Sequence, residues 1–370
     1  MEILNKIVDR NKFLSNIYPE KCIGYSYIPA IHDKVYRIIV LGDIHGDYNL
    51  LINMLKIAEL IEIDNNKIIW IGNNTYVVQV GDQIDRCRPY GNKKCIEPDT
   101  TYMDEASDIK ILNLCNDLHK QALKYGGAFI SLFGNHELMN VDGDMRYVSY
   151  LGFKEFDNYI DPNNIDLKFK NGVEARKYAF KPGNQIANMM ACTRLACVNI
   201  GKHLFVHAGI IDSLISEINI TDINDIETIN IAIRLWILGL LKREFVSKII
   251  DKSNTSLFWT RILGHIPPNV SLNDHRCINH IGNVLNLFKV GSIIVGHTPQ
   301  SFMYSDNINQ TCQGRVWRVD NGSSKAFSYF DNEIKKTNTI SYSRRPQVLE
   351  IINDEEYYII DESGRHKTAV

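Results

Sequence analysis

The 370-residue chain has no basic cluster beyond adjacent pairs such as Lys335-Lys336 and Arg344-Arg345, and its formal net charge is -2. Without a lysine- and arginine-rich patch there is no footprint for a phosphate backbone, so no nucleic-acid partner is expected. Long apolar runs are missing too. The longest, IAIRLWILGLL (231–241), is too short to cross a bilayer and contains Arg234. It reads as an amphipathic helix, and no membrane partner is expected. The first residues, MEILNKIVDRNKFL, lack a basic stretch followed by a continuous apolar one, so they do not resemble a secretion signal and a cytoplasmic location is expected. None of the eight cysteines (22, 87, 95, 115, 192, 197, 277 and 312) forms Cys-x-x-Cys. In a chain with no export signal these thiols are expected to stay reduced, without disulfides. His275-x-Cys277-x-x-His280 has no evident fourth ligand; it reads as a solvated loop, with a structural metal as the alternative. No repeat or low-complexity tract is present.

What remains is an ordinary globular composition, 45% hydrophobic and 23% charged, in a chain long enough for one large core plus insertions. Apolar runs ending in glycine recur: RIIVLG (37–42), YVVQVG (76–81), AFISLFG (128–134), HLFVHAG (203–209) and GSIIVGH (291–297). Such short runs read as buried strands, and helical patterns at 49–60 and 108–124 lie between the first three. The fold class is therefore α/β, a sandwich with a mainly parallel centre. From 138 to 193 the pattern loses regularity, with Asp161-Pro162-Asn163-Asn164 and Lys181-Pro182-Gly183-Asn184 marking loops. This segment reads as an inserted cap over one side of a site, to which a helical segment at 221–250 is added. The chain divides into an N-terminal extension (1–35), a main domain (36–360) with insertions at about 88–103 and 138–193, and a frayed tail (361–370) ending in GRHKTAV.

Sites in open α/β sheets form beyond the carboxyl ends of strands, and polar residues stand at these ends. LGDIHGD supplies Asp43 and His45, whose i, i+2 spacing lets an oxygen and an imidazole nitrogen converge. GDQIDRC supplies Asp82, Asp85 and Arg86, and GNHE supplies Asn135, His136 and Glu137, while the fourth and fifth runs end at His207 and His297. Oxygen and imidazole donors suit a hard or borderline divalent ion. Two such ions about 3.5–4 Å apart clamp a phosphate and activate water, and one carboxylate must bridge them. Asp82, between the other ligand sources, is the candidate bridge. His136, one residue after Asn135, faces away from the metal that Asn135 binds and is the candidate general acid, with Asp85 to orient and charge it. A helix N-cap is the other reading of Asp85. Arg86 is the first candidate for gripping phosphate and Arg261, in SLFWTRILG, the second, with a structural salt bridge as its alternative. His203, at the start of a strand, reads as packed or exposed, not as a ligand.

The ordered motifs GDIHG, GDQIDR, GNHE, HAG and GHTPQ resemble the calcineurin-like metallophosphoesterases, and LFWTR, VGHTPQ and RVWRVDNGSSKAF are similar to the bacterial-type, Shewanella-like members of the phosphoprotein phosphatase branch. The resemblance spans about 38–327. It implies a central β-sandwich flanked by helices, a centre of two metals (Mn, Fe or Zn) and single-step hydrolysis by a bridging hydroxide. One metal would take Asp43, His45 and Asp82, and the other Asp82, Asn135, His207 and His297; Arg86 and Arg261 would hold phosphate, and His136 with Asp85 would protonate the leaving group. The expected activity is hydrolysis of phosphoserine, phosphothreonine or phosphotyrosine in a protein substrate. The alternative is a dinucleoside polyphosphate or other small phosphoester, and an inactive binding scaffold is a third reading. Two departures stand out. Cys87 occupies the place of a usual glycine, ahead of a long loop, and is a candidate for inhibitory oxidation; Asp320-Asn321-Gly322-Ser323 replaces the family's Asp-x-Gly-Met.

Overall fold

The computed structural model describes residues 1–305, 307–328, 330 and 344–368. All five glycine-terminated runs are strands: Arg37–Leu41, Tyr76–Gln79, Ala128–Leu132, His203–Val206 and Ser292–Val295. They are mostly apolar, with no alternation of polar positions, because both faces are covered. In the first strand Ile38 and Val40 point into one core, and Ile39 and Leu41 into another.

Two sheets result. In one, Arg37–Leu41, Tyr76–Gln79, Ala128–Leu132 and Arg194–Leu195 run parallel, while Val348–Ile352, Glu356–Asp361 and Gly364–Lys367 extend it antiparallel. In the other, His203–Val206, Ser292–Val295 and Val316–Arg318 are parallel neighbours, with Cys197–Ile200 and Asn309–Thr311 antiparallel on either side. Between the sheets lie Val40, Val78, Ile130, Phe205, Ile294 and Trp317, all but excluded from water. Trp317 stacks on Tyr357 with centroids 4.7 Å apart. Truncating a side chain here, as in Ile294→Ala, is expected to cost about 2–5 kcal/mol, since the lost transfer energy is joined by a cavity. Helices Tyr48–Ile57 and Asp108–Ala122 cover the outer face of the first sheet through Leu51, Leu55, Ile111 and Leu118. The outer face of the second, with Leu204, Val206, Ile293 and Val295, shares a core with helices Asp225–Ile237 and His275–Phe288. The expected sandwich flanked by helices is the observed fold.

The structure corrects several expectations. The helix Asp225–Ile237 is not amphipathic but buried on almost every side, because the N-terminal segment lies over its polar face. Arg234 is fully buried there, donating to the Arg194 and Ile28 carbonyls, with its guanidinium 5.1 Å from the Tyr27 ring centroid. Glu227 accepts from the Tyr27 hydroxyl and the Ala30 amide. At the other end, Gly364–Lys367 is an ordered edge strand and not a frayed tail; Ile360 pairs with Arg365, and the last two residues lie outside those described. The stretch read as irregular, 138–193, carries the helices Asn135–Val141, Tyr150–Lys154, Gly172–Phe180 and Gln185–Thr193, each too short for periodicity to reveal.

Three disulfides overturn the expectation of reduced thiols: Cys22–Cys192, Cys87–Cys95 and Cys277–Cys312, with Cα separations of 5.3, 5.7 and 5.8 Å. Cys115 and Cys197 are free and buried. The first bridge joins residues 170 positions apart, a proximity that only folding creates. Cys87 is thus one half of a bond, and not a lone oxidisable thiol. Cys277 is likewise spent, and His275 to Phe288 is a helix capped by Asp274 and not a solvated loop. Disulfides persist in oxidising surroundings, so these bonds do not fit the reduced state expected of a cytoplasmic chain. Among the described residues no helix is long and apolar enough to cross a membrane.

Candidate metal centre and active site

The five strand ends meet at one edge of the sandwich, held together by backbone and carboxylate bonds. The amides of Ile44 and His45 donate to the Asp82 carbonyl at 3.0 and 2.9 Å, which locks the first loop to the second. The Glu137 carboxylate accepts from the amides of Asp82, Gln83 and Gly134, tying the second loop to the third. Asp43 accepts from the His297 amide at 3.0 Å and so joins the first to the fifth. His45, Asp82, Asp85 and His297 all adopt left-handed backbone, with φ of 47, 51, 71 and 63°. Non-glycine residues adopt this conformation at a cost, and such residues concentrate where function requires a particular direction. Two glycines allow the close approach: a Cβ on Gly134 would stand 2.1 Å from Asp82 Oδ1, and one on Gly296 2.3 Å from Asp43 Oδ1.

The side chains converge as ligand sets. One nitrogen or oxygen each from His45, Asp82 and His136 lie within 4.8 Å of one another, and so do atoms of Asp82, His207 and His297. Asp82 belongs to both sets. His207 Nδ1 donates to the Val80 carbonyl at 2.9 Å, which turns Nε2 toward Asn135 Oδ1 at 3.0 Å and Asp82 Oδ2 at 3.4 Å. The Asp43 Oδ1 and His45 Nδ1 atoms are buried with no hydrogen-bond partner. Buried carboxylate oxygens and imidazoles crowded in this way fit cations between them. The electrostatics agree. Burial pushes the Asp43 carboxyl up, reinforced by Asp320 and Asp82, a concentration of negative charge that a cation would relieve. Burial also holds His45 and His297 well below the usual imidazole range, in the neutral form that donates a lone pair. Burial acts against the charge on Asp82, but His207, His136 and His45 keep it well below the usual carboxylate range.

Residues 36–301 match the calcineurin-like phosphoesterase family model. The chain belongs to that family. Calcineurin-like phosphoesterases bind a dimetal centre, and the two sets sharing Asp82 are the groups that could hold one here. Among its relatives, an uncharacterized protein of Acanthamoeba polyphaga mimivirus is 38% identical over 255 residues, covering 66% of this chain and 96% of that protein. The Shewanella-like protein phosphatase 2 of Arabidopsis thaliana is 26% identical, with coverage of 90% and 80%. Of solved structures, a cold-active protein-tyrosine phosphatase of a psychrophilic Shewanella superimposes with a TM-score of 0.63 at 19% identity, covering 92% of this chain and 83% of that one, a likeness of fold.

Within this family frame, His136 Nδ1 lies 2.9 Å from Asp85 Oδ2, while its Nε2 faces Asp82 Oδ2 at 3.9 Å, at the edge of the ligand sets. A cavity of about 940 Å³ opens over them, lined by His45, Asp82, Asn135, His136 and His297 and walled by Tyr147, Trp259, Phe302 and Phe327. Arg261 lies on its rim, exposed, with Nη1 donating to the His297 carbonyl at 2.9 Å. Arg86 does not reach the cavity. It is buried, donating to Glu105 at 2.6 Å and to the Gly46 carbonyl at 3.0 Å, with Asp47 at 3.9 Å. Two residues on, Arg88 lines the cavity instead, its guanidinium 4.8 Å from the Phe327 centroid and 5.6 Å from that of Tyr147. Its Nη1 donates to the Asp85 and Cys87 carbonyls. Sequence reading preferred Arg86 because it is adjacent to the ligands; the turn through left-handed Asp85 and the Cys87–Cys95 link reverse which arginine faces inward. His203 is fully buried, with Nδ1 2.8 Å from Ser292 Oγ, so it is packed as expected. Asp320, to which sequence reading assigned no role, is buried beside Asp43, and its carboxyl is pushed up to about 6, chiefly by burial. Its place after a strand was the available signal.

Proposed function

We propose that this calcineurin-like phosphoesterase is a metal-dependent phosphatase that hydrolyses phosphomonoesters on proteins. The observation that carries the reading is Asp82, common to two candidate ligand groups, in a cavity that His136 also lines. Asp43, His45 and Asp82 would hold one ion of the Mn, Fe or Zn kind, and Asp82, Asn135, His207 and His297 the second. When bound, such a pair supplies positive charge for the phosphate and activates water as nucleophile.

The protein does the rest. Arg88 and Arg261 would grip the phosphate oxygens from opposite parts of the cavity, Arg88 oriented by the two rings that flank it. His136, protonated at Nε2 with Nδ1–H held by Asp85, would give its proton to the departing oxygen. The aromatic walls support an aryl phosphate, and so phosphotyrosine, as the preferred protein substrate. The relatives named as protein phosphatases support the same class. The test is phosphate release from matched phosphotyrosine, phosphoserine and phosphothreonine peptides and a dinucleoside tetraphosphate, with Mn²⁺ and then with chelator. Chelator-sensitive turnover of peptide, fastest with phosphotyrosine, is expected. Turnover of the nucleotide alone would replace this reading with a small-phosphoester hydrolase, and silence on every substrate would leave an inactive scaffold.

A further inference from the structure

Behind His136 lies a buried polar cluster supplied by the cap. Asn140 is wholly buried, and its Nδ2 lies 3.0 Å from both oxygens of Asp85 and 2.9 Å from the His136 carbonyl. An amide group can present either its oxygen or its nitrogen, and only the nitrogen serves a carboxylate. Arg176 settles which. Its Nε donates to Asn140 Oδ1 at 3.0 Å, and a guanidinium has no acceptor atom, so the amide oxygen must face Arg176 and the amide nitrogen must face Asp85. The same guanidinium, fully buried, donates from Nη1 to the Gly152 carbonyl at 3.0 Å and from Nη2 to Asp108 at 2.8 Å, with Asp85 Oδ1 at 3.5 Å. Rings of Phe156 and Phe180 cover it at 5.5 and 4.8 Å.

We infer that Asn140 and Arg176 are positioning residues for the general acid: Arg176 orients the Asn140 amide, and Asn140 holds Asp85 where it can fix the His136 imidazole. This rests on the proposed phosphatase reading and adds to it that the cap helix Gly172–Phe180, remote from the metal ligands in sequence, determines whether proton donation works. Arg176 also places a positive charge between the Asp85 and Asp108 carboxylates. Lysine at 176 would keep a charge but could not present a planar fork to Asn140, Gly152 and Asp108 together.

The experiment compares wild type, Asn140→Ala and Arg176→Lys on p-nitrophenyl phosphate and phenyl phosphate, with bound metal measured for each. A good leaving group needs little acid help and a poor one needs much. Both variants are expected to retain wild-type metal and to turn over p-nitrophenyl phosphate within about threefold of wild type, while kcat on phenyl phosphate falls about tenfold or more. Equal losses on both substrates, or none, would overturn the inference even if Arg176→Lys alone folds. Lack of turnover by wild type would instead overturn the phosphatase reading beneath it.

Discussion

Asp85 Oδ2 stands 2.9 Å from His136 Nδ1, and this carboxylate is wholly excluded from water. A buried carboxylate bonded to one imidazole nitrogen fixes the ring and directs the opposite nitrogen outward, here toward Asp82 Oδ2 at 3.9 Å. Replacing His136 with alanine is expected to lower turnover by about 10² to 10⁴, most for poor leaving groups. Asp85→Asn should follow the same pattern. A series of aryl phosphates of graded leaving-group acidity measures both, and a loss independent of the leaving group would contradict the acid role.

Asp82 contributes to both ligand sets, so Asp82→Ala should cost metal and activity together. Elemental analysis of the purified variant is expected to show fewer than two ions per chain, with no measurable turnover. Wild-type metal content would refute its place as the bridge.

The two neighbouring arginines should separate cleanly. Arg88→Ala is expected to raise KM and weaken inhibition by inorganic phosphate about tenfold or more, without lowering thermal stability. Arg86→Ala should instead destabilise the fold by up to about 3 kcal/mol, because Asp47 and Glu105 lose their buried partner, the half-exposed Glu105 holding the cost to the lower end. Denaturant melts and phosphate inhibition on the two variants decide it.

Cys22–Cys192 closes a loop of 170 residues between the N-terminal segment and the helix Gln185–Thr193. Cys22→Ser is expected to lose about 2–4 kcal/mol, as the unfolded chain regains freedom. Thermal melts with and without reductant should show wild type falling toward the variant, while the variant shifts less.

Glu155 accepts from the amides of Asp108 and Ile109, and burial together with the Asp108 charge pushes its carboxyl up to about 8. The folded protein therefore keeps a proton that the unfolded chain releases above the ordinary carboxylate range. The stability this contributes is fully present at low pH and is lost as pH rises toward about 8. Glu155→Gln should flatten the fall in melting temperature between the ordinary carboxylate range and that pH, and parallel profiles would show that Glu155 is not responsible.

The strands, the acids and histidines that follow them and the family were legible because each depends on a short contiguous stretch: an apolar run ended by glycine, then an acid or histidine. Strand alternation carries such patterns without help from distant residues. Three features were not legible in that way. Cys22 and Cys192 pair because the fold brings them together, Arg88 and not Arg86 enters the cavity because left-handed Asp85 and a disulfide turn the loop, and Asn140 meets Asp85 because Arg176 sets its amide. The burial of Arg234 on every side belongs with them, since the covering segment is some 200 residues away in sequence. The sequence alone determined the strands and the residue types at their ends, through local periodicity and residue chemistry. Only tertiary structure decided which side chains face one another, because direction and burial are set by contacts between segments far apart in the chain.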